Sequence, residues 1–180
     1  TGTLTEAKIR LERHVDANGE QTERVIELAY LNSFFETGLR SPMDEAILQH
    51  EHVDASRWHK VDEVPFDFER RRVSVLLDDG MRRLLIVKGA CEDIIGLSTQ
   101  FEDGSAERLR PLTEAAAQRL TQLEGSMGDE GFRVLGIAWK EVTRSQEHAV
   151  VSDETGLVFA SSVVPVSDPD SRGTTLGQLV

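Results

Sequence analysis

Between residues 70 and 88 apolar side chains occupy both strand parities. Val73, Val75 and Leu77 share one face and Leu76 takes the other, while Leu84 and Ile86 oppose Leu85 and Val87. Apolar residues on both faces predict a central hairpin with material packed above and below it. The pattern gives strands over Arg70 to Asp78 and Met81 to Lys88, joined at Asp79-Gly80, where glycine supplies the positive φ of a tight turn.

The rest of the chain is arranged around that hairpin. Ile9, Leu11 and Val15 alternate with mostly polar neighbours, predicting a half-buried strand that ends at Asn18-Gly19. From Gln21 to Thr37 the residues Val25, Ile26, Leu28, Ala29, Leu31, Phe34 and Phe35 recur at helical spacing, so an amphipathic helix is expected with both phenylalanines in the core. Ser41-Pro42 starts a second helix, with Ser as N-cap and Pro at the first helical position. Trp58 to Val64 leads into the hairpin. After it come a short helix over Cys91 to Leu97, a turn over Phe101 to Ser105, and a long amphipathic helix from Thr113, its N-cap, to Met127, broken by Gly128 and Gly131. Gly131 to Val142 and Gly156 to Ala160 read as strands.

Composition narrows the class. A chain of 180 residues with 39% hydrophobic and 29% charged residues fits one globular domain. A formal net charge of -12 argues against nucleic acid, whose phosphates most of this surface would repel. The single cysteine, Cys91, cannot form an internal disulfide and suits a reducing, cytoplasmic compartment. No stretch has the ~20 apolar residues of a membrane span, so direct membrane contact is not expected. His50, Glu51 and His52, with His59 nearby, make no metal site, because helix residues two apart do not share a face.

Against this acidic background one stretch is basic and aromatic. Phe66 and Phe68 precede Arg70, Arg71 and Arg72, and the hairpin closes on Lys88-Gly89-Ala90. An aromatic face, clustered cations and a backbone open to close approach are what a nucleotide needs.

These residues carry a resemblance. The run PFDFERRRVSV, the motif Lys88-Gly89-Ala90, TGTLT at Thr1 to Thr5 and GFRVLGIA at Gly131 to Ala138 are together similar to the nucleotide-binding domain of P-type ATPases, and most similar to the magnesium-transporting branch. The resemblance covers roughly residues 1–160. It implies an α+β fold, a twisted antiparallel β-sheet flanked by helices, with residues 1–5 a remnant of the phosphorylation motif, 6–160 the nucleotide-binding domain and 161–180 a tail with little fixed structure. It implies ATP held by its adenosine end, Phe66 stacking on adenine, Asp44 or the adjacent Glu45 accepting from the exocyclic amine, Lys88 and Gly89 shaping the pocket, and Arg71 and Arg133 near the phosphates. Mg²⁺ would accompany those phosphates. The nucleophilic Asp of the family comes before Thr1 and is not in this chain, so binding without hydrolysis is expected. Implied partners are ATP and ADP, and the phosphorylation and transmembrane domains of a parent pump, on the cytoplasmic face of its membrane. Arg71 stands where Lys is commoner in the family, and the two cations are not equivalent.

Two other classes are weighed. A self-contained hydrolase using Asp78 and Asp79 fails on geometry, because neighbours on a strand point to opposite faces. An acidic protein-interaction module without nucleotide binding would bind a basic partner with strong salt dependence. Neither GxxxxGK[ST] nor GxGxxG after a strand occurs.

Overall fold

The computed structural model describes residues 9–38, 40–50, 52–129 and 134–167. Thr1 to Thr5, Gly131, Arg133 and residues 168–180 lie outside that range. The strands are β1 (Ile9–Val15), β2 (His59–Asp67), β3 (Arg72–Asp78), β4 (Arg83–Ala90), β5 (Ser98–Glu102), β6 (Leu109–Pro111), β7 (Leu135–Val142) and β8 (Leu157–Ser167). The helices are α1 (Glu23–Phe35), α2 (Pro42–His50), α3 (Cys91–Leu97) and α4 (Glu114–Asp129).

The strands form one sheet in the order β2-β3-β4-β7-β8-β5-β6, with β1 also paired to β8. Every pairing is antiparallel except β5 with β8. The fold is thus α+β, with the central hairpin inside the sheet as the two-faced apolar pattern requires. Val75, Leu77, Leu84 and Ile86 pack on one side with Val25, Ile26, Leu28 and Leu31 of α1 and Ile47 of α2. Leu76, Leu85 and Val87 pack on the other with Ile94 and Ile95 of α3 and Leu120 of α4. A buried asparagine fixes α1 over the hairpin: the Asn32 side-chain amide donates to the Ile86 carbonyl at 2.9 Å. That register places the C-terminal end of α1 above the end of β4.

Several expectations are corrected. The hairpin turn is longer than Asp79-Gly80, because the Asp79 carboxylate accepts from the backbone N–H groups of Met81 and Arg82 and draws both out of the strand. The segment before the hairpin is itself a strand, β2, paired along β3 as the sheet edge. Phe101 and Glu102 belong to β5, and the turn begins at Asp103, which bonds across to Arg108. Phe34 is 44% exposed, stacked on Tyr30, while Phe35 packs on the core. Helix α4 continues through Gly128 to Asp129. Strand β8 runs past Ala160 to Ser167, pairing with β1, so residues 161–167 are sheet and not tail.

Candidate functional site

Lys88 emerges from β4 on the α1 side of the sheet and is buried, its side chain 6% exposed. Its ammonium donates to Ser33 Oγ at 2.8 Å, pairs with Asp44, and lies 3.5 Å from Glu36. Asp44 in turn accepts from Ser33 Oγ at 2.9 Å, from Ser41 Oγ at 2.6 Å and from the Ser41 backbone N–H at 2.8 Å. The last of these, with Ser41 Oγ accepting from the Asp44 N–H at 3.3 Å, is a reciprocal cap at the start of α2. Burial works against the charge on Asp44, but Lys88 and the Ser41 bonds prevail and hold its carboxyl down at about 2. Burial pushes the Glu36 carboxyl up to about 7, opposed by Lys88 and reinforced by the charge of Asp44. The Lys88 ammonium therefore sits between an ionised Asp44 and a Glu36 that is about half protonated near pH 7.

This arrangement changes the part Asp44 can take. Its two oxygens already accept four hydrogen bonds, the full capacity of a carboxylate. An incoming amine would have to displace one of them. Glu45, beside it, is exposed. Glu36 and Ser33 were not found from sequence, because nothing local separates Glu36 from any other surface acid. The Ser41-x-x-Asp44 spacing was visible, and its capping pattern was the available signal.

The aromatic residues stand as a pair in the open. Phe66, at the end of β2, is 52% exposed and Phe68 89%, with ring centroids 5.3 Å apart and edge to face. Large exposed rings at the edge of a sheet are costly to solvate and are free to take a planar ligand.

The arginine cluster is mostly committed within the protein. Arg70 and Arg72 converge on Glu154, 1% exposed, in the loop before β8. Arg71 adopts φ 51 and turns the other way, its guanidinium bonded to Asp93 at 3.0 and 3.1 Å and to Glu92 at 2.7 Å. Arg71 is half-exposed and so still reachable, but as one cation facing two acids. The open basic island expected from sequence is therefore reduced to Arg71.

Gly89 also has an internal explanation. A Cβ there would stand 2.5 Å from Arg72 Cβ and 2.6 Å from the Arg71 carbonyl oxygen, while the Ala90 N–H donates to that same oxygen at 3.1 Å. Glycine is required because β3 and the turn before it press against this spot. Trp139 is buried and donates to Glu102 at 2.6 Å, so it packs in the core. Among the described residues no cluster of acids, histidines or cysteines could hold a metal ion, and no helix is long and apolar enough to cross a membrane.

Comparison with known proteins gives a consistent set of likenesses. The family described as P-type ATPase, cytoplasmic domain N, matches residues 15–169. The chain is 34% identical over 175 residues to the magnesium-transporting ATPase, P-type 1, of Escherichia coli K12, covering 94% of this chain and 19% of that protein. A Salmonella typhimurium LT2 protein of the same name is 38% identical over 189 residues, covering 99% of this chain and 21% of the relative. The calcium-transporting ATPase PAT1 of Dictyostelium discoideum is 31% identical over 113 residues, 63% of this chain and 10% of the relative. The chain spans about a fifth of the length of the magnesium-transporting relatives it matches.

Proposed function

Because the chain belongs to the P-type ATPases, as their cytoplasmic domain N, we propose that it binds ATP for a magnesium-transporting pump and presents the γ-phosphate to an aspartate in another domain of the parent chain. The observation that carries this reading is Phe66, an aromatic ring left half in solvent at the end of β2. Phe66 stacks on adenine, and Lys88, locked by Asp44 and Ser33, sets the pocket floor. Glu45 accepts from the exocyclic amine, or Asp44 does so by giving up one of its present partners. Arg71 and Arg133 lie toward the phosphates, Arg71 exchanging Glu92 or Asp93 for a phosphate oxygen. The nucleotide-binding unit runs from residue 6 through β8, with residues 1–5 left from the phosphorylation motif.

Stacking is worth on the order of 1 kcal/mol and a screened charge contact no more, so affinity is submillimolar to millimolar. Mg²⁺, held with the phosphates, supplies charge neutralisation at the transferred group. The chain's own residues orient the adenosine. The domain binds without turnover, on the cytoplasmic face of the membrane that holds the rest of the pump. The support from relatives is their names, which state magnesium transport by a P-type ATPase.

The test is titration with ATP followed by amide chemical shifts. Saturable shifts near Phe66, Lys88 and Arg133, with binding weakened about fivefold in Phe66→Ala, are expected; unchanged spectra at several millimolar ATP would overturn the reading.

A further inference from the structure

Glu154 is a buried acid whose carboxylate bonds only to side chains some 80 residues away in sequence. Arg70 Nη1 donates to both its oxygens at 2.9 Å, Arg72 Nε to one at 2.6 Å and Ser74 Oγ to the other at 2.6 Å. The same two arginines then tie down the backbone of the turn between β2 and β3. Arg70 Nη2 donates to the Pro65 carbonyl at 2.6 Å, and Arg72 Nη1 to the Arg70 carbonyl at 3.1 Å. Pro65 and Arg70 bracket Phe66 and Phe68.

The turn has local bonds of its own. Asp67 Oδ1 accepts from the backbone N–H groups of Glu69 and Arg70 at 2.9 Å, and the Asp67 carbonyl from Arg71 at 2.7 Å. Those bonds close the turn on itself, and its far end is tied to the sheet where the Ala90 N–H donates to the Arg71 carbonyl at 3.1 Å and Arg71 pairs with Glu92 and Asp93. Its near end, at Pro65, is held from outside through Arg70 by Glu154, a residue whose own backbone N–H donates to the Val151 carbonyl at 3.1 Å. A buried ion cluster is a poor way to gain stability, since well-packed apolar residues of like volume commonly do as well or better. What it supplies is a fixed geometry, here at a turn that carries Phe66 and Phe68 on its near side.

We propose that Glu154 is a positioning residue for the nucleotide site, fixing through Arg70 and Arg72 the angle at which the Phe66 ring meets adenine. Its ligand rests on the nucleotide reading above, but its geometric half does not. Removing the charge releases the turn, and the ring samples orientations of which few are competent to stack. Affinity then falls by the competent fraction.

The experiment has two arms on this chain. In the ligand-free arm, amide relaxation and hydrogen exchange are compared for wild type, Glu154→Gln and Arg70→Met, the last cutting the tie to Pro65 while leaving Arg72 and Ser74 on the acid. Both variants are expected to loosen the amides of residues 66–71, with the amides of α1 and β7 unchanged. Rigid turn amides in a folded Arg70→Met protein would overturn the proposal whether or not ATP binds. In the second arm, ATP dissociation constants are measured for wild type, Glu154→Gln, Phe66→Ala and the double variant. Glu154→Gln is expected to weaken binding about threefold to fivefold alone, no more than Phe66→Ala itself, and under about twofold in the Phe66→Ala background. Equal losses in both backgrounds, or none in either single variant, would overturn it. Absence of binding by wild type, with a loosened turn in both variants, would remove the nucleotide reading and leave the geometric half standing.

Discussion

The Glu36 carboxylate lies 3.5 Å from an ammonium, that of Lys88, which is already paired with Asp44. One buried cation cannot fully serve two acids, and the pair divides unequally, Glu36 at about 7 and Asp44 at about 2. Between the ordinary value of 4.5 and about 7, the folded protein holds the Glu36 proton more tightly than the unfolded chain. The Glu36 contribution to stability is full below that window and is lost as pH rises through it. Asp44 acts with the opposite sign: its contribution is present above 3.8 and lost as pH falls through about 2. Urea unfolding across the Glu36 window should show wild type losing stability relative to Glu36→Gln as pH rises. Parallel profiles for the two proteins would refute the assignment.

Lys88→Met should be among the most damaging single changes. It leaves Asp44 and Glu36 together without their cation, and breaking a buried pair on one side costs about 3–5 kcal/mol. Adding Glu36→Gln to Lys88→Met should restore part of that, read as a higher urea midpoint at pH 7.

Two glycines should respond with opposite sign. At Gly89 a methyl meets backbone and Cβ atoms at 2.5 to 2.9 Å, so Gly89→Ala is expected to cost about 1–3 kcal/mol. Gly96 sits in α3 with nothing within 4 Å of an added Cβ, so Gly96→Ala should stabilise by about 0.5–1 kcal/mol. Thermal unfolding of the two variants checks both.

Cys91 should be inert in the native protein. Burial, with the charge and hydrogen bond of Glu124, pushes its thiol well above the ordinary value, so little reactive thiolate exists near neutral pH. Alkylation by iodoacetamide should be slow in buffer and fast in urea; rapid native labelling would contradict the packing.

Much of the fold was legible because the signals were local. Helix α3 spans Cys91–Leu97 as its short pattern implied, and Thr113 Oγ1 accepts from the Ala116 N–H at 3.2 Å as an N-cap should. The hairpin's two-faced burial followed directly from Val75 and Leu77 set against Leu76. Strand β2 escaped because an edge strand need not alternate, and HKVDEVPFD scarcely does. Around the candidate site the sequence showed which residue types are present and not how they pair. Phe66 and Lys88 were read from their types, but the acids that claim the arginines were not. Glu154 lies 84 residues from Arg70, and no periodicity links them. A run of positive charge looks free in a sequence until its counter-charge is placed in space.

Strands β1 and β8 run antiparallel with Ile9 opposite Ser167. Those two points are neighbours across a ladder, about 5 Å apart. Tension applied between them opens the pair one rung at a time from that end, whereas strands pulled from opposite ends must break their rungs together. Under such a load the base of the sheet yields first and gently. The pairing of β4 with β7, which carries Lys88 opposite Ile137, is not one of the rungs that open first.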